Sequence, residues 1–218
     1  MTESESHMHD RPPRLFEMVT PLHELTETVD WTAVEADYGL VFPADYKAFV
    51  DRFGAGTLGE DVFVSVPRVG RPAAALTVDR LPEDTLREEG MANWQDASLP
   101  DRPDLRDMLV WGESSGADAL CWMTAGPDPD AWPVAVWSRH HGGWARYPYG
   151  MTEFLTNILT DGFADGFADG SAEFPLSDES LRGAGSTPYV NLEAENRLRD
   201  AGIDPWTGRP IPQMWDEG

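Results

Sequence analysis

The stretch Trp31-Thr-Ala-Val-Glu-Ala-Asp-Tyr38-Gly39-Leu-Val-Phe-Pro43-Ala-Asp-Tyr46-Lys-Ala-Phe49-Val-Asp-Arg-Phe53-Gly54-Ala-Gly56 decides the fold. Its apolar residues fall into two helical periods. Asp30 is placed to cap a first helix in which Trp31, Val34 and Tyr38 stand at i, i+3 and i+7, and Gly39 supplies a left-handed stop. Pro43 fits the first position of a second helix, where its missing N–H costs nothing. Phe42, Tyr46, Phe49, Val50 and Phe53 then form one apolar stripe that can bury a face. Gly54 and Gly56 end the helix and hand the chain to a loop.

Downstream, Val62 to Val66 alternates as a strand. Pro82 to Ala97 has the marks of a helix start, with Glu83 and Asp84 in its first turn and Leu86 and Trp94 available for burial. Four more strands are predicted at Met108 to Gly112, Ala119 to Thr124, Val134 to Ser138 and Trp144 to Tyr147. Turn residues separate them at 113–116, 126–130 and 140–143, and loops this short favour an antiparallel meander. Met151, Phe154, Leu155, Ile158 and Leu159 repeat at helical spacing, so a helix closes the unit near Asp161-Gly162. Helices bracketing strands predict an α+β class: a single domain with a mainly antiparallel sheet flanked by helices, plus a largely irregular acidic C-terminal tail.

Upstream, residues 1–21 read as a flexible lead, followed by a short helix around Leu22, Leu25 and Val29 with few core contacts. The domain is predicted over 22–162. Residues 163–218 read as an acidic linker and tail: Gly162-Phe-Ala-Asp recurs as Gly166-Phe-Ala-Asp, and one short helix is predicted from Asn191 to Ala201. Most of this tail is expected to lack a core of its own. Trp206, Ile211 and Trp215 are apolar handles, for which docking on the globular part is preferred over a partner.

Charge is the outlying property. Across 218 residues, 39 acidic side chains face 16 basic ones, for a net charge of −23, and Lys47 is the one lysine. The charge divides as −5 over residues 1–30, −11 over 31–162 and −7 over 163–218, so it marks no single interface. Such a field repels nucleic acid and anionic lipid and attracts basic proteins. Cys121 is the sole cysteine, which excludes an intramolecular disulfide and a cysteine-based zinc site. Acids stand where a signal peptide needs basic residues, and no apolar run reaches membrane-spanning length, so no leader or membrane span is expected and the cytoplasm is the default compartment.

Few residues suggest chemistry. His140 and His141 are adjacent, a spacing that makes no chelating pair, and a hairpin turn explains them better. Glu113, Asp118, Asp128 and Asp130 lie in turns that could share one end of the sheet and hold a hard cation, yet calcium-loop spacing is missing and solvated carboxylates are preferred. Gly112-Glu-Ser-Ser-Gly116 lacks the strand–helix setting of a hydrolase elbow, and Gly54-Ala-Gly56 is not followed by a P-loop's Gly-Lys-Ser/Thr. Cys121, between Leu120 and Trp122, reads as a buried small hydrophobe. Trp31, Trp111, Trp122 and Trp137 are assigned to the core, while Trp132 and Trp144 border turns and are available to a contact surface. No catalytic residue, metal ligand or cofactor site is predicted.

Trp31 and Glu35, Gly39, then Pro43, Tyr46 and Phe49, the Phe53-Gly54-Ala-Gly56 stop, and Trp111-Gly112 leading to Gly116 and Asp118 together resemble the SUKH superfamily, and within it the Smi/Knr-type branch. The resemblance spans about residues 22 to 162. It implies a non-catalytic α+β domain that binds proteins. Similar bacterial domains serve as cytosolic immunity proteins against delivered toxins, often nucleases, and a fungal relative regulates cell-wall assembly. The implied partner here is a basic protein, a cognate toxin domain. Glu60, Asp61, Glu113, Asp118, Asp128, Asp130, Trp132 and Trp144 are the expected contact residues, on a monomer or weak oligomer. A regulatory scaffold is the first alternative; a metal-dependent hydrolase using His140, His141 and Asp118 is a distant one.

Overall fold

The computed structural model describes residues 14–72, 76–95, 103–163 and 174–212. Its first half runs α1 (Leu15–Met18), β1 (Val19–Pro21), α2 (Trp31–Tyr38), α3 (Ala44–Phe53), β2 (Gly56–Leu58), β3 (Val62–Val64) and β4 (Asp79–Arg80). The second half runs β5 (Met108–Ser114), β6 (Ala119–Met123), β7 (Val134–Ser138), β8 (Gly143–Tyr147), α4 (Met151–Thr160), β9 (Thr187–Asn191) and α5 (Leu192–Asp200). The strands form one sheet in the order β1-β9-β2-β3-β5-β6-β7-β8, with β4 beside β5. Pairing is antiparallel except between β1 and β9. The predicted α+β class and mainly antiparallel sheet are therefore what the molecule has.

The helical pair forms as its residues dictate. Asp30 Oδ1 accepts the Ala33 N–H at 3.1 Å, and Gly39 ends α2 at φ 67°. Pro43 stands one position earlier than expected, as the N-cap of α3 rather than its first residue. It has no side-chain acceptor to offer, and Asp130 substitutes by accepting the Ala44 N–H at 2.6 Å. Phe42, Tyr46, Phe49, Val50 and Phe53 are all buried. Tyr46 meets the Trp122 ring edge-on at 4.7 Å and its hydroxyl donates to the Ser65 carbonyl at 2.6 Å, so the α3 stripe is locked to the sheet by shape and by a satisfied polar group. Asp45, on the same helix, accepts the Thr152 N–H and hydroxyl, both at 3.0 Å, and so caps α4.

The alternation of β5 is interrupted once. Val110 pairs with Cys121 and Gly112 with Leu120, so Trp111 is the extra residue of a β-bulge. Trp111 and Leu109 thereby share the helix-covered core, where Trp111 lies 6.0 Å from Trp122 and 6.3 Å from Phe154. Val110 joins a second core on the opposite face with Met108, Cys121, Ala135, Trp144, Met91 and Trp94.

That second core is closed by the segment predicted as a helix from Pro82 to Ala97. Instead, only Thr85–Arg87 form a 3-10 turn, and residues 96 and 97 lie outside the described residues. Residues 93–95 have other bonds to make. The Trp144 N–H donates to the Asn93 carbonyl at 2.9 Å and the Gln95 N–H to the Trp144 carbonyl at 2.8 Å, which covers the start of edge strand β8 and requires extended backbone there.

Three further predictions are corrected by the sheet. Residues 22–30 are not helical; Leu15 and Val19, upstream of them, are buried in the core, and β1 pairs with β9. The chain also passes from Gly54 almost directly into β2 rather than into a loop, and β2 pairs with β9. Thr187–Asn191, predicted as irregular tail, is thus an interior strand. The predicted helix that follows it is present as α5, capped by Asn191 Oδ1 on the Ala194 N–H at 2.8 Å.

Candidate interaction surface

The sheet has two ends, and the expected contact residues divide between them. The turns β2–β3, β5–β6 and β7–β8 share one end, because Val62 pairs with Ser114 and Ala119 with Trp137. Glu60, Asp61, Glu113, Asp118, His140 and His141 lie there. Asp128 and Asp130 sit in the β6–β7 connection at the other end, so the four carboxylates that could have shared a cation site do not.

Burial separates them further. Glu60, Glu113, Asp128 and Asp130 are exposed, whereas Asp61 is 2% and Asp118 0% exposed. Trp132 and Trp144 are buried as well, so these four side chains are not available to a docking partner in this conformation. Each has an internal role. The Trp132 indole N–H donates to the Gly126 carbonyl at 2.7 Å, and that of Trp144 to the Met91 carbonyl at 2.8 Å.

Asp118 accepts the Ser114 hydroxyl at 2.6 Å, the Arg139 N–H at 2.9 Å, and both the N–H and hydroxyl of Ser177 at 2.7 and 2.5 Å. Asp61 accepts the hydroxyl of Ser115 and, at 3.2 Å, that of Ser180. Burial pushes the Asp61 carboxyl above the usual aspartate range, with the Ser115 hydrogen bond pulling the other way. Two buried acids therefore clasp residues 177–180 onto the hairpin turns. Such groups are costly to bury unless hydrogen-bonded, and here they are.

Two glycines that the sequence offers as turn and stop residues face the C-terminal segment. A Cβ at Gly116 would lie 2.8 Å from the Ser177 Cβ, and one at Gly56 would lie 2.3 Å from the Val190 carbonyl oxygen. Both glycines make room for the C-terminal segment. Glu35, the acid of the helical pair, is also structural: it accepts the Phe42 N–H at 3.1 Å and pairs with Lys47 at 2.9 Å.

An open cleft of about 430 Å³ lies beside α5, lined by Thr26, Glu27, Arg68, Leu192, Glu193 and Asn196. Its charges are already engaged, since Arg68 pairs with Glu27 at 2.5 Å and the Thr26 hydroxyl donates to Glu193 at 2.6 Å. His140 and His141 are exposed with rings 4.9 Å apart, and no group of three or more His, Cys, Asp or Glu able to hold a metal occurs among the described residues. Cys121 is fully buried and its thiol is pushed up by that burial, which disfavours the nucleophilic thiolate. No helix among the described residues is long and apolar enough to cross a membrane.

Residues 29–155, more than half of the chain, match the model of a SUKH family described as SMI1-KNR4 cell-wall. The match ends before β9 and the clasp residues of the tail. No curated protein and no solved structure matches the chain.

Proposed function

The chain belongs to the SUKH family, and from that premise we propose that it is a non-catalytic protein-binding domain acting as a cytoplasmic immunity protein, which neutralises a nuclease-type toxin by direct contact. One observation carries this reading: the family match joined to a net charge of −23, with Glu60, Glu113, Asp128 and Asp130 exposed near turns, which suits a basic partner. A nuclease domain that grips phosphate presents a basic groove, and an acidic surface is its electrostatic complement. Steering of this kind raises association rates to about 10⁸–10⁹ M⁻¹s⁻¹ at low salt, while the packed contacts set the lifetime. Glu60, Glu113, Asp128 and Asp130 are the candidate rim residues, and their division between two ends of the sheet makes them alternatives rather than one patch.

The test is co-expression with the product of the adjacent gene, scoring growth and a complex that weakens with salt. Rescue with a salt-sensitive complex supports immunity. Persistent growth arrest with no complex overturns it for that pair. The family description, which names the cell wall, favours a second reading as a regulatory scaffold. Under that reading deletion of the gene alters wall integrity in the absence of any toxin.

A further inference from the structure

We infer that the sheet face opposite α2 and α3 carries a slot for one arginine or lysine side chain of a basic partner, with Glu113 and Trp137 as its walls and Ala119 as its floor. This deepens the protein-binding reading above and rests on it for the identity of the partner.

The register creates the slot. Val190 stands opposite Thr57, Thr57 opposite Phe63, Phe63 opposite Glu113, Glu113 opposite Ala119, Ala119 opposite Trp137, and Trp137 opposite Trp144. Residues paired in this way share one face of a sheet. The row is closed at both ends: Val190 and Thr57 are buried at one, and Trp144, 6.2 Å from the Trp94 ring, at the other. Its middle is open, with Glu113 exposed and Phe63, Ala119 and Trp137 half-buried.

The bulge at Trp111 is what places an acid there. Strict alternation from Val110 would turn Glu113 toward the helix-covered core; the extra residue turns it to the open face instead. Gly112 permits the bulge beside β3, where a Cβ would come within 2.6 Å of the Phe63 carbonyl oxygen. Glu113 has no hydrogen bond or ion pair with any described residue, unlike Glu35, Asp45, Asp61 and Asp118.

Adjacent strands lie about 4.8 Å apart, so Glu113 and Trp137 are separated by about 10 Å across the small Ala119. That width admits an alkyl stem or guanidinium plane. A cation seated there meets a carboxylate on one side and an indole on the other, combining an ion pair with a cation–π contact. The occupant is fixed as cationic by the same complementarity: a phosphate or an acidic peptide is repelled by Glu113 and by the field of the whole chain.

The test uses the full-length chain and a tri-arginine peptide, followed through the indole N–H signals in ¹⁵N NMR. The Trp137 signal should move and saturate, Glu113→Gln should weaken that binding about fivefold, and Ala119→Leu, which fills the floor, should abolish it. Glu88→Gln, which removes an exposed acid elsewhere, should leave it unchanged. A Trp137 signal that stays in place, or equal weakening by Glu113→Gln and Glu88→Gln, overturns the slot. Retained peptide binding in Ala119→Leu overturns it too. The peptide arm needs no toxin, so failure of the slot and failure of the immunity reading, scored by growth, are separate results.

Discussion

The helical pair at residues 31–53 and the segment at 177–200 serve the same β2 strand from different directions. Helix α3 buries its apolar stripe in the same core as Leu58 of β2, while β9 lies beside β2 and completes its hydrogen bonding. Tyr189 joins the two, 5.7 Å from Phe49 and 5.5 Å from Phe53, with its hydroxyl donating to the Gly54 carbonyl at 2.8 Å. The difference lies in what holds each in place. The helices of the pair are specified by local periodicity, with caps from Asp30 and the more distant Asp130; the tail segment depends on an interior strand and two buried acids whose partners are up to 119 residues away.

The largest effect is expected from ending the chain at residue 173. Loss of an interior strand exposes the pairing edge of β2 and removes Tyr189 and Val190 from the core, so the truncated chain should show no cooperative melt. A cooperative transition near that of the full chain would mean that the pair and meander fold without the tail.

Asp118→Ala is the next largest. It strands several donors, two of them from Ser177, and should cost about 3 kcal/mol by chemical denaturation. Amide exchange should rise first at 174–181. If exchange rises equally across α3, the clasp is not specific to the tail.

Asp61→Asn is the smallest and depends on pH. The carboxyl is raised in the fold, so its ionisation opposes folding: the contribution of Asp61 is fullest below the ordinary aspartate pKa, about 4, and is lost as pH rises through the raised folded value. The stability of Asp61→Asn relative to the parent should therefore increase with pH over the window that opens at about pH 4. A difference that is flat, or that falls, contradicts the assigned cause.

These contrasts also explain what was legible. Helices α2, α3 and α4 and strands β5–β8 announce themselves, because apolar period and turn chemistry are local properties of the chain. Strand β9 does not. Thr-Pro-Tyr-Val-Asn carries a proline and only two large apolar residues, and its strand character comes from β1 and β2. The same non-locality hid Asp61 and Asp118, which have the sequence setting of solvated turn acids but are buried and hydrogen-bonded to residues 177–180. Glu113 was legible as an acid near a turn, but its face depended on a bulge that alternation does not reveal.

The position of β9 between β1 and β2 also sets an order of events during synthesis. Among the described strands β1 pairs with β9, whose residues emerge from the ribosome roughly 10–30 s after it at ordinary elongation rates. Through that interval the nascent chain carries an unfilled gap beside β2, an invitation to chaperones and to pairing with other chains. Translation speed between β1 and β9 thereby becomes a determinant of yield.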